Sequence, residues 1–395
     1  MPNDKQLSKT FKDFFESEKS GGVLLVLCTA VSLVLANSAA GSAYIDLWRA
    51  ELGGLSVEHW INDLLMAVFF LLIGLELERE LYVGELADFR NALLPIVAAA
   101  GGVALPAVIH FSLNAGTPTQ AGIGIPMATD IAFAVGILAL LGSSVPASLK
   151  VFLVALAVMD DLAAIVVIAV FYSADLSLGY LVGALAVFGA LVVLNRMRVM
   201  VLLPYMVGGL LMWFLMYRSG VHATIAGVLL AFAVPFAGKH NDERSPSHRL
   251  EHFLHRPVAF VVLPMFALAN TAIVVGTDAL AGLATRNSLG IMAGLLVGKP
   301  LGITLASFVA VSAGVCRLPG DLGWKHVVGA GMLGGIGFTM SIFITNLAFT
   351  GQADTINASK MAILLSSLVA GTLGFWWLRS LGGAPRAESP AGEAT

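Results

Sequence analysis

Long apolar stretches recur from one end of this chain to the other, and they restrict what it can fold into more than any other feature. A helix needs about 20 mostly apolar residues to cross the hydrocarbon core of a bilayer. In this chain 58% of the 395 residues are hydrophobic and 12% are charged, against about 45–50% and about 25% in soluble domains. A soluble core cannot hide that surplus, so the sequence predicts an all-α integral membrane protein.

We predict twelve transmembrane helices, with spans 4 and 11 discontinuous, in a single domain over residues 1–382. The first span follows a polar segment of mixed charge, so we interpret it as a retained helix rather than a cleaved signal. Residues 383–395 have the composition of a disordered tail. The predicted spans are residues 21–37, 60–76, 92–113, 121–141, 149–172, 179–195, 199–217, 221–237, 256–275, 289–311, 326–349 and 357–379.

The Lys and Arg residues between the predicted spans fall mostly on one side of the membrane, and this bias predicts the orientation. If the N-terminus is cytoplasmic, the outer side holds only Arg49, Arg218, Arg286 and Lys360, and Lys299 lies within a span. All the others of the 22 Lys and Arg residues then lie on the cytoplasmic side. A miscounted span would scramble this bias, which therefore supports twelve spans and two cytoplasmic termini.

A few ionisable side chains lie inside the predicted spans, where each costs about 2.5–3.5 kcal/mol on insertion scales and is by default a functional candidate. They are Asp63, Asp130, Asp160, Asp161, His222 and Lys299. Buried ion pairing or a position near a helix end remains an alternative for Asp63 and His222. One lysine cannot neutralise four carboxylates, so the rest need protons, metal ions or water.

Asp160 and Asp161 are adjacent in the apolar run VALAVMDDLAAIVVIAV, residues 154–170. Adjacent helix residues point about 100° apart, so both can face one cavity. Neighbouring carboxylates resist full ionisation and titrate as a coupled unit. A small hard cation, which oxygen ligands suit, relieves the same repulsion as a proton. The pair therefore predicts competition between protons and alkali ions, which becomes exchange if the site opens alternately to each side.

Two spans contain residues that favour a break in the helix. The stretch GIPMATDIAFAVGIL, 124–138, begins with Gly and Pro, so Thr129 can offer oxygen and Asp130 can neutralise the positive ends of half-helices. The stretch GAGMLGGIGFTMSIFIT, 329–345, carries four central glycines. Interrupted segments at matching positions of two halves indicate a transporter site at a repeat interface. We therefore predict that spans 3–5 and 10–12 are inverted copies, with ordinary glycine-mediated packing as the alternative for span 11.

Span 10 carries glycines at every fourth position, namely Gly290, Gly294, Gly298 and Gly302. Such a stripe lets another helix approach closely. Lys299 lies on its flank, which predicts that the ammonium is held inside the bundle, where it can pair with Asp160 or Asp161.

Charged residues also cluster at the predicted cytoplasmic end of span 2 and before span 9. They are Glu76, Glu78, Arg79 and Glu80, together with His248, Glu251, His252 and His255. The histidine spacing of i, i+4 and i+7 predicts one helical face. Three interpretations stay open: a solvated helix start, a metal site, and a network that responds to pH.

Seven segments together resemble the bacterial NhaA-type sodium/proton antiporters. They are ATDIAF (128–133), VALAVMDDLAAI (154–165), WINDLLMAVFFLLIGLELERE (60–80), GVHATIAG (220–227), EHFLHRP (251–257), GKPLGI (298–303) and GIGFTMSIFI (335–344). The resemblance implies a twelve-helix protein of the bacterial inner membrane that is usually a homodimer. It also implies pH-regulated, electrogenic export of Na⁺ or Li⁺ for a larger number of protons, with no enzymatic activity and no cofactor.

The resemblance also implies roles for individual residues. Asp160 and Asp161 would bind the ion and protons, with Thr129 adding an oxygen, while Asp130 and Lys299 would balance half-helix dipoles. The family's pH-activation region corresponds to Glu76, Arg79, Glu80, Glu251, His252 and His255, and accessory positions to Asp63 and His222. The segment 43–58 lies where the family has a periplasmic hairpin that pairs dimer partners. Glu78 departs from the family, whose members often carry a basic residue there.

Two other classes of membrane protein use intramembrane charges. An intramembrane aspartyl protease should show Tyr-Asp on one helix and Gly-x-Gly-Asp on another, and neither occurs in the chain. A sodium-coupled symporter of an organic solute would need a larger polar pocket than the few polar side chains of these spans provide. It remains the alternative function.

Overall fold

The structure is a computed structural model that describes residues 9–84, 87, 89–173, 176–236, 245–276 and 281–382. Within these ranges the chain is almost entirely helical. The helices are α1 (Lys9–Ala36), α2 (Gly41–Arg49), α3 (Val57–Trp60), α4 (Met66–Tyr82), α5 (Phe89–Asn114), α6 (Ile131–Leu141), α7 (Ala147–Phe171), α8 (Leu178–Arg196), α9 (Leu203–Ser219), α10 (Ile225–Ala233), α11 (Pro246–Pro257), α12 (Leu263–Asn270), α13 (Arg286–Ala293), α14 (Lys299–Ser312), α15 (Trp324–Gly334), α16 (Phe338–Ala348) and α17 (Ala353–Leu381). The described residues also form two 3₁₀ segments, Pro118–Met127 and Gly142–Ser144, and one antiparallel hairpin of β1 (Glu51–Leu52) and β2 (Leu55–Ser56). The predicted tail 383–395 lies outside the described residues.

Three long helices contain a π-helical turn where two shorter helices join. The turns are Ile61–Leu65, Val258–Val262 and Gly294–Gly298. The last two are each followed, two residues on, by a proline, Pro264 or Pro300. Proline lacks an N–H and its ring crowds the preceding turn, so a widened turn lets the helix continue through it. The third of these helices thereby runs without a break from Arg286 to Ser312, and Lys299 follows directly after its π-helical turn.

The described residues contain eight helices long and apolar enough to cross a membrane, or up to ten if each of two bent helix pairs is one span. These ten correspond to ten of the predicted spans. The other two predicted spans, 199–217 and 221–237, fall on α9 and α10, which have 17 and 9 residues. Both are shorter than the roughly 20 residues that a full crossing needs. The all-α membrane fold is confirmed, whereas the number twelve stays a prediction.

The glycine stripe of span 10 packs against α5; the sequence predicted a close helix contact here but not which helix makes it. A Cβ at Gly298 would lie 2.9 Å from Pro106 Cα, and one at Gly302 would collide with the carbonyl of Gly101. The two helices therefore approach at backbone distance, which requires small residues on the facing surfaces. Lys299, beside the stripe, is 0% exposed. This close packing carries the ammonium into the interior of the bundle.

Two interruptions of regular helix lie against each other at the centre. The 3₁₀ segment Pro118–Met127 leads into extended backbone at Ala128 and Asp130, and α6 begins at Ile131. Helices α15 and α16 meet at a bend of 45° around Gly335 and Gly337. The N–H of Asp130 donates to the carbonyl of Ile336 at 2.7 Å, so one backbone hydrogen bond joins the interruptions directly.

Candidate functional site

The adjacent aspartates lie near the middle of α7, and one of them is held by a cation. Asp160 and Asp161 are 0% and 1% exposed. The Lys299 ammonium donates to Asp160 Oδ2, and the Thr129 hydroxyl donates to the same oxygen at 2.6 Å. Lys299 Nζ also donates to Thr129 Oγ1 at 3.1 Å. Of the two partners that the sequence left open for Lys299, the structure shows Asp160.

The other oxygens of the two carboxylates are not satisfied. Asp160 Oδ1 and Asp161 Oδ1 are buried and have no hydrogen-bond partner among the described residues. Buried polar atoms are normally hydrogen-bonded, and an unpaired buried charge is costly. Lys299 compensates one of the two negative charges. The second carboxylate therefore needs a proton or a bound cation, and the bare oxygens are the ligand type that hard cations prefer.

Thr129 has a second acceptor within reach. Its Oγ1 lies 2.9 Å from the carbonyl oxygen of Gly334, at the end of α15. A hydroxyl carries one proton, so the Thr129 proton can turn to this carbonyl when Asp160 no longer accepts it. That rotation would leave the Thr129 oxygen facing the carboxylates, where a cation could use it as a ligand.

Asp130 accepts hydrogen bonds from the first turns of two different helices. Its Oδ1 accepts the N–H of Phe133 in α6 at 3.0 Å. Its Oδ2 accepts the N–H of Thr339 in α16 at 2.9 Å and the Thr339 hydroxyl at 2.6 Å. Helix N-termini carry unpaired N–H groups and partial positive charge. One buried carboxylate thus caps both helices, an arrangement that supports the dipole-balancing role implied for Asp130.

The glycines of the second interruption are needed for close packing beside Lys299. An added Cβ at Gly335 would lie 2.5 Å from the carbonyl oxygen of Leu295, which belongs to the π-helical turn just before Lys299. At Gly331 an added Cβ would lie 2.9 Å from Pro300 Cα. The glycine cluster therefore brings the broken helix pair directly against the segment that carries the lysine.

Asp63 and His222 are not part of this constellation. Asp63 Oδ2 lies 3.2 Å from His59 Nε2, one helical turn before it. His222 Nε2 donates to the carbonyl of Tyr172 at 2.8 Å, just beyond the end of α7. Within the described ranges neither forms a hydrogen bond or ion pair with Asp160 or Asp161. Their accessory roles therefore stay predictions.

A second cluster of charges lies where α4 meets α11, and we name it the Arg79 cluster. It consists of Glu76, Arg79, Glu80, Glu251 and His255. Arg79 bridges two carboxylates, with 2.9 Å to Glu251 and 3.3 Å to Glu80. His255 Nδ1 lies 3.8 Å from Glu76 Oε1. The predicted residues of the pH-activation region are thus brought together by these two helices, with one exception.

The exception is His252, whose side chain is exposed. His248, which also lies on α11, is 4.0 Å from Glu251. In the described part of the chain no three side chains of His, Cys, Asp or Glu form a group that could hold a metal ion. The structure therefore does not support the metal-site interpretation of the α11 histidines.

Glu78 is almost buried, at 5% exposure, and has a partner that the sequence did not suggest. The Ser247 hydroxyl donates to its Oε2 at 3.2 Å. Ser247 and Thr339 are both hydroxyl residues in the first turn of a helix. A hydroxyl in the first turn of a helix was the sequence feature that could have indicated these two residues, but neither was assigned a role from the sequence.

A recess beside the Arg79 cluster reaches the start of α6. Glu76 and His255 line it together with Ile131 and Ala132, which directly follow Asp130 in the chain. The charged cluster therefore opens towards the first turn of α6, one residue from the capping carboxylate.

Known proteins are similar to this chain over nearly its whole length. The family model described as "Na+/H+ antiporter 1" matches residues 12–378. A protein of Dechloromonas aromatica named Na(+)/H(+) antiporter NhaA is 71% identical over 374 residues, which cover 94% of this chain and 96% of that relative. A Cytophaga hutchinsonii protein of the same name is 57% identical, with 95% and 96% covered, and one of Helicobacter pylori strain J99 is 44% identical, with 96% and 97% covered.

These are membrane transporters rather than enzymes, and the ions they exchange, Na⁺ and H⁺, are substrates rather than cofactors. The matched range, residues 12–378, covers nearly the whole chain. This multi-pass membrane protein therefore belongs to the Na⁺/H⁺ antiporter family whose members are named NhaA.

Proposed function

We propose that the chain exports Na⁺ or Li⁺ across the bacterial inner membrane in exchange for a larger number of protons. Both ions would use one site, and the transport would follow alternating access and be electrogenic. This activity would serve pH homeostasis and salt tolerance. The family supports the exchange of Na⁺ for H⁺, and the following features support the finer points.

The observation that carries the proposal is the pair of bare, buried carboxylate oxygens, Asp160 Oδ1 and Asp161 Oδ1. A proton on the pair satisfies one of them, and a Na⁺ between them satisfies both. Since the two occupants need the same atoms, binding of one expels the other. That competition couples the two ion gradients without any covalent chemistry.

The charges of the site support exchange of unequal numbers of ions. In the proton-loaded state Asp161 carries a proton and Lys299 carries its own, paired with Asp160. Binding of Na⁺ to both carboxylates releases the Asp161 proton and weakens the attraction that keeps Lys299 protonated. If both protons leave, two positive charges are exchanged for one, and each cycle moves net charge across the membrane.

Alternating access would use the two interrupted segments. Asp130 and the backbone bond to Ile336 join them, so they can move as one unit that opens the site first to one side of the membrane and then to the other. We propose that residues 1–382 form one domain with spans 3–5 and 10–12 as inverted repeats around this unit. Such repeats rock about a fixed midplane site in other transporters.

Regulation by pH would act through the Arg79 cluster. Its carboxylates, guanidinium and imidazole lie within 4 Å of one another in pairs, and the recess links them to α6. Protonation of one member changes the pairing of the others. With the termini cytoplasmic, as the Lys and Arg distribution predicts, the cluster faces the cytoplasm.

A homodimer would form through the segment 43–58. This segment contains the hairpin of β1 and β2, in which Leu52 is 65% exposed. The outer edge of a strand presents N–H and C=O groups that can pair with another copy, which supports the hairpin as a dimer contact at the outer surface.

The test is exchange in proteoliposomes that contain a pH-sensitive dye, with Na⁺, Li⁺ or K⁺ added between pH 6 and 9. Na⁺ and Li⁺ should each collapse an imposed pH gradient, and the rate should change with membrane potential. Asp161→Asn should abolish the response, and Asp160→Asn should abolish or severely reduce it. Na⁺ uptake that requires an organic solute and moves no protons would instead identify a symporter.

A further inference from the structure

We propose that Tyr172 is a positioning residue for ion exchange. Its hydroxyl holds the 3₁₀ segment Pro118–Met127, which leads into Thr129, at a fixed height beside the helix that carries Asp160 and Asp161. This inference rests on the proposed function, because it concerns the geometry of the same site.

The Tyr172 hydroxyl bridges two backbone groups of one turn of that segment. It donates to the carbonyl of Ala121 at 2.7 Å and accepts the N–H of Gly124 at 3.2 Å. A hydroxyl has one proton and two lone pairs, so it can make both bonds at once. Tyrosine ordinarily loses its proton only near pH 10, so the bridge persists throughout the working range of an antiporter.

Gly124 makes room for this hydroxyl. A Cβ at position 124 would lie 2.7 Å from the Tyr172 oxygen and 3.2 Å from Val167 Cγ1. Both atoms belong to α7 or its end, so a side chain there would push the segment away from the helix. The glycine that the sequence marked as a helix-breaking residue is thus also the point of closest approach to α7.

Tyr172 is itself held from two sides. Its N–H donates to Ile168 of α7 at 3.2 Å, and its carbonyl accepts from His222 Nε2 at 2.8 Å. His222 lies in the turn between α9 and α10. A continuous set of hydrogen bonds therefore runs from that turn through Tyr172 to the segment before Thr129. This path gives His222 a physical connection to the site although it contacts neither aspartate.

Helix α7 thus holds the same stretch of chain at two points. One is the bond between Thr129 and Asp160 Oδ2, and the other is the bridge at Tyr172. Asp160 and Tyr172, which directly follows α7, are separated along the helix axis by about 18 Å at 1.5 Å per residue. Two attachments fix both the position and the tilt of the stretch, whereas the bond at Asp160 alone must break whenever an ion displaces it. Tyr172 would then keep Thr129 in register while the ligands exchange.

Tyr172→Phe removes only the hydroxyl, and it should raise the KM for Na⁺ while leaving the maximal rate within about twofold of wild type. Loss of a hydrogen bond that holds a ligand in place corresponds to a change in KM of about 3- to 10-fold. The measurement is Na⁺/H⁺ exchange in proteoliposomes at a fixed pH. KM is independent of the amount of active protein, so a merely structural role would lower the rate and leave KM unchanged.

The matched control is Tyr205→Phe. Tyr205 is fully buried, and its hydroxyl also donates to a backbone carbonyl, that of Val199, at 3.0 Å. Tyr205 belongs to α9, and its hydroxyl makes its hydrogen bond to Val199 and not to the 3₁₀ segment. This variant should keep the wild-type KM. An equal rise in both variants would overturn the proposal.

Gly124→Ala provides a second variant if Tyr172→Phe does not fold. It keeps the hydroxyl but displaces it, and it should raise KM in the same direction. If either variant folds and its KM for Na⁺ equals that of wild type, the proposed role of Tyr172 is overturned. Asp161→Asn, measured in parallel, separates the two claims: continued exchange in that variant refutes the proposed function itself, whereas a silent Tyr172→Phe beside an inactive Asp161→Asn refutes only this inference.

Discussion

The central site and the Arg79 cluster both contain buried carboxylates, but they differ in how completely these are paired. In the centre, one cation serves two adjacent aspartates, and an oxygen of each has no partner among the described residues. In the Arg79 cluster, Glu251 and Glu80 share a guanidinium and Glu76 lies beside His255. The unpaired carboxylate oxygens of the central site can bind an ion. The paired charges of the Arg79 cluster instead rearrange when one of its members gains or loses a proton.

This difference predicts that substitutions in the centre abolish transport, whereas those in the Arg79 cluster shift its pH dependence. The largest effect is expected for the aspartate pair. Asp161→Asn removes a negative charge and a titrating group at once and should leave no measurable Na⁺-dependent proton flux, a loss of at least about 100-fold, consistent with about 3 kcal/mol for a buried charge. Flux near wild type would place the ion elsewhere.

Lys299→Ala should produce the next largest effect, and on stability as well as transport. It leaves Asp160 buried without its cation, and breaking a buried pair from one side costs about 3–5 kcal/mol. The thermal midpoint of the purified protein in detergent should therefore fall. The double variant Lys299→Ala/Asp160→Asn removes both charges and should recover much of the loss. A double variant as unstable as the single one would show that the pair does not matter for stability.

Glu251→Gln should shift the pH at which exchange reaches half its maximum, on the order of half a unit, with a maximal rate near wild type. It removes one of the two carboxylates on Arg79; Glu251 is buried but the Arg79 side chain is 26% exposed, so solvent screens the pair and its worth is about 1 kcal/mol or less. The pH profile of exchange in everted vesicles measures this. A reduced maximal rate with an unmoved profile would assign Glu251 to the transport path instead.

The smallest effects separate two histidines of α11. His255 faces Glu76, 3.8 Å away, whereas His252 is exposed. His255→Gln should shift the pH profile, and His252→Gln should shift it less. Equal shifts would mean that the position of the ring relative to Glu76 is irrelevant and that general charge near α11 sets the response.

A functional residue could be predicted from the sequence where its chemical type differs from that of the residues around it. Asp160, Asp161 and Lys299 stand out because charge is rare in apolar spans, and the stripe around Gly298 predicted that another helix would approach closely. The helical pattern alone left the choice between Asp160 and Asp161 open, since both lie within reach of a long lysine side chain and 100° of helix rotation decides between them; only the family resemblance pointed to Asp160.

Three hydroxyl residues with structural roles were not predicted from the sequence. Thr339, Ser247 and Tyr172 each make a hydrogen bond that organises a charged or unwound segment, yet hydroxyls are common in membrane helices and no periodicity distinguishes them. The lengths of α9 and α10 were also missed, because hydropathy records how apolar a stretch is and not where its helix ends.

The central claim is that Na⁺ and protons compete for the carboxylates of Asp160 and Asp161. It is tested most directly by counting the protons released when the purified protein binds Na⁺, using calorimetric titrations in two buffers of different ionisation enthalpy. The account predicts heats that depend on the buffer and correspond to release of about one or two protons per Na⁺, with no such release in Asp161→Asn. Binding of Na⁺ with the same heat in both buffers would contradict it.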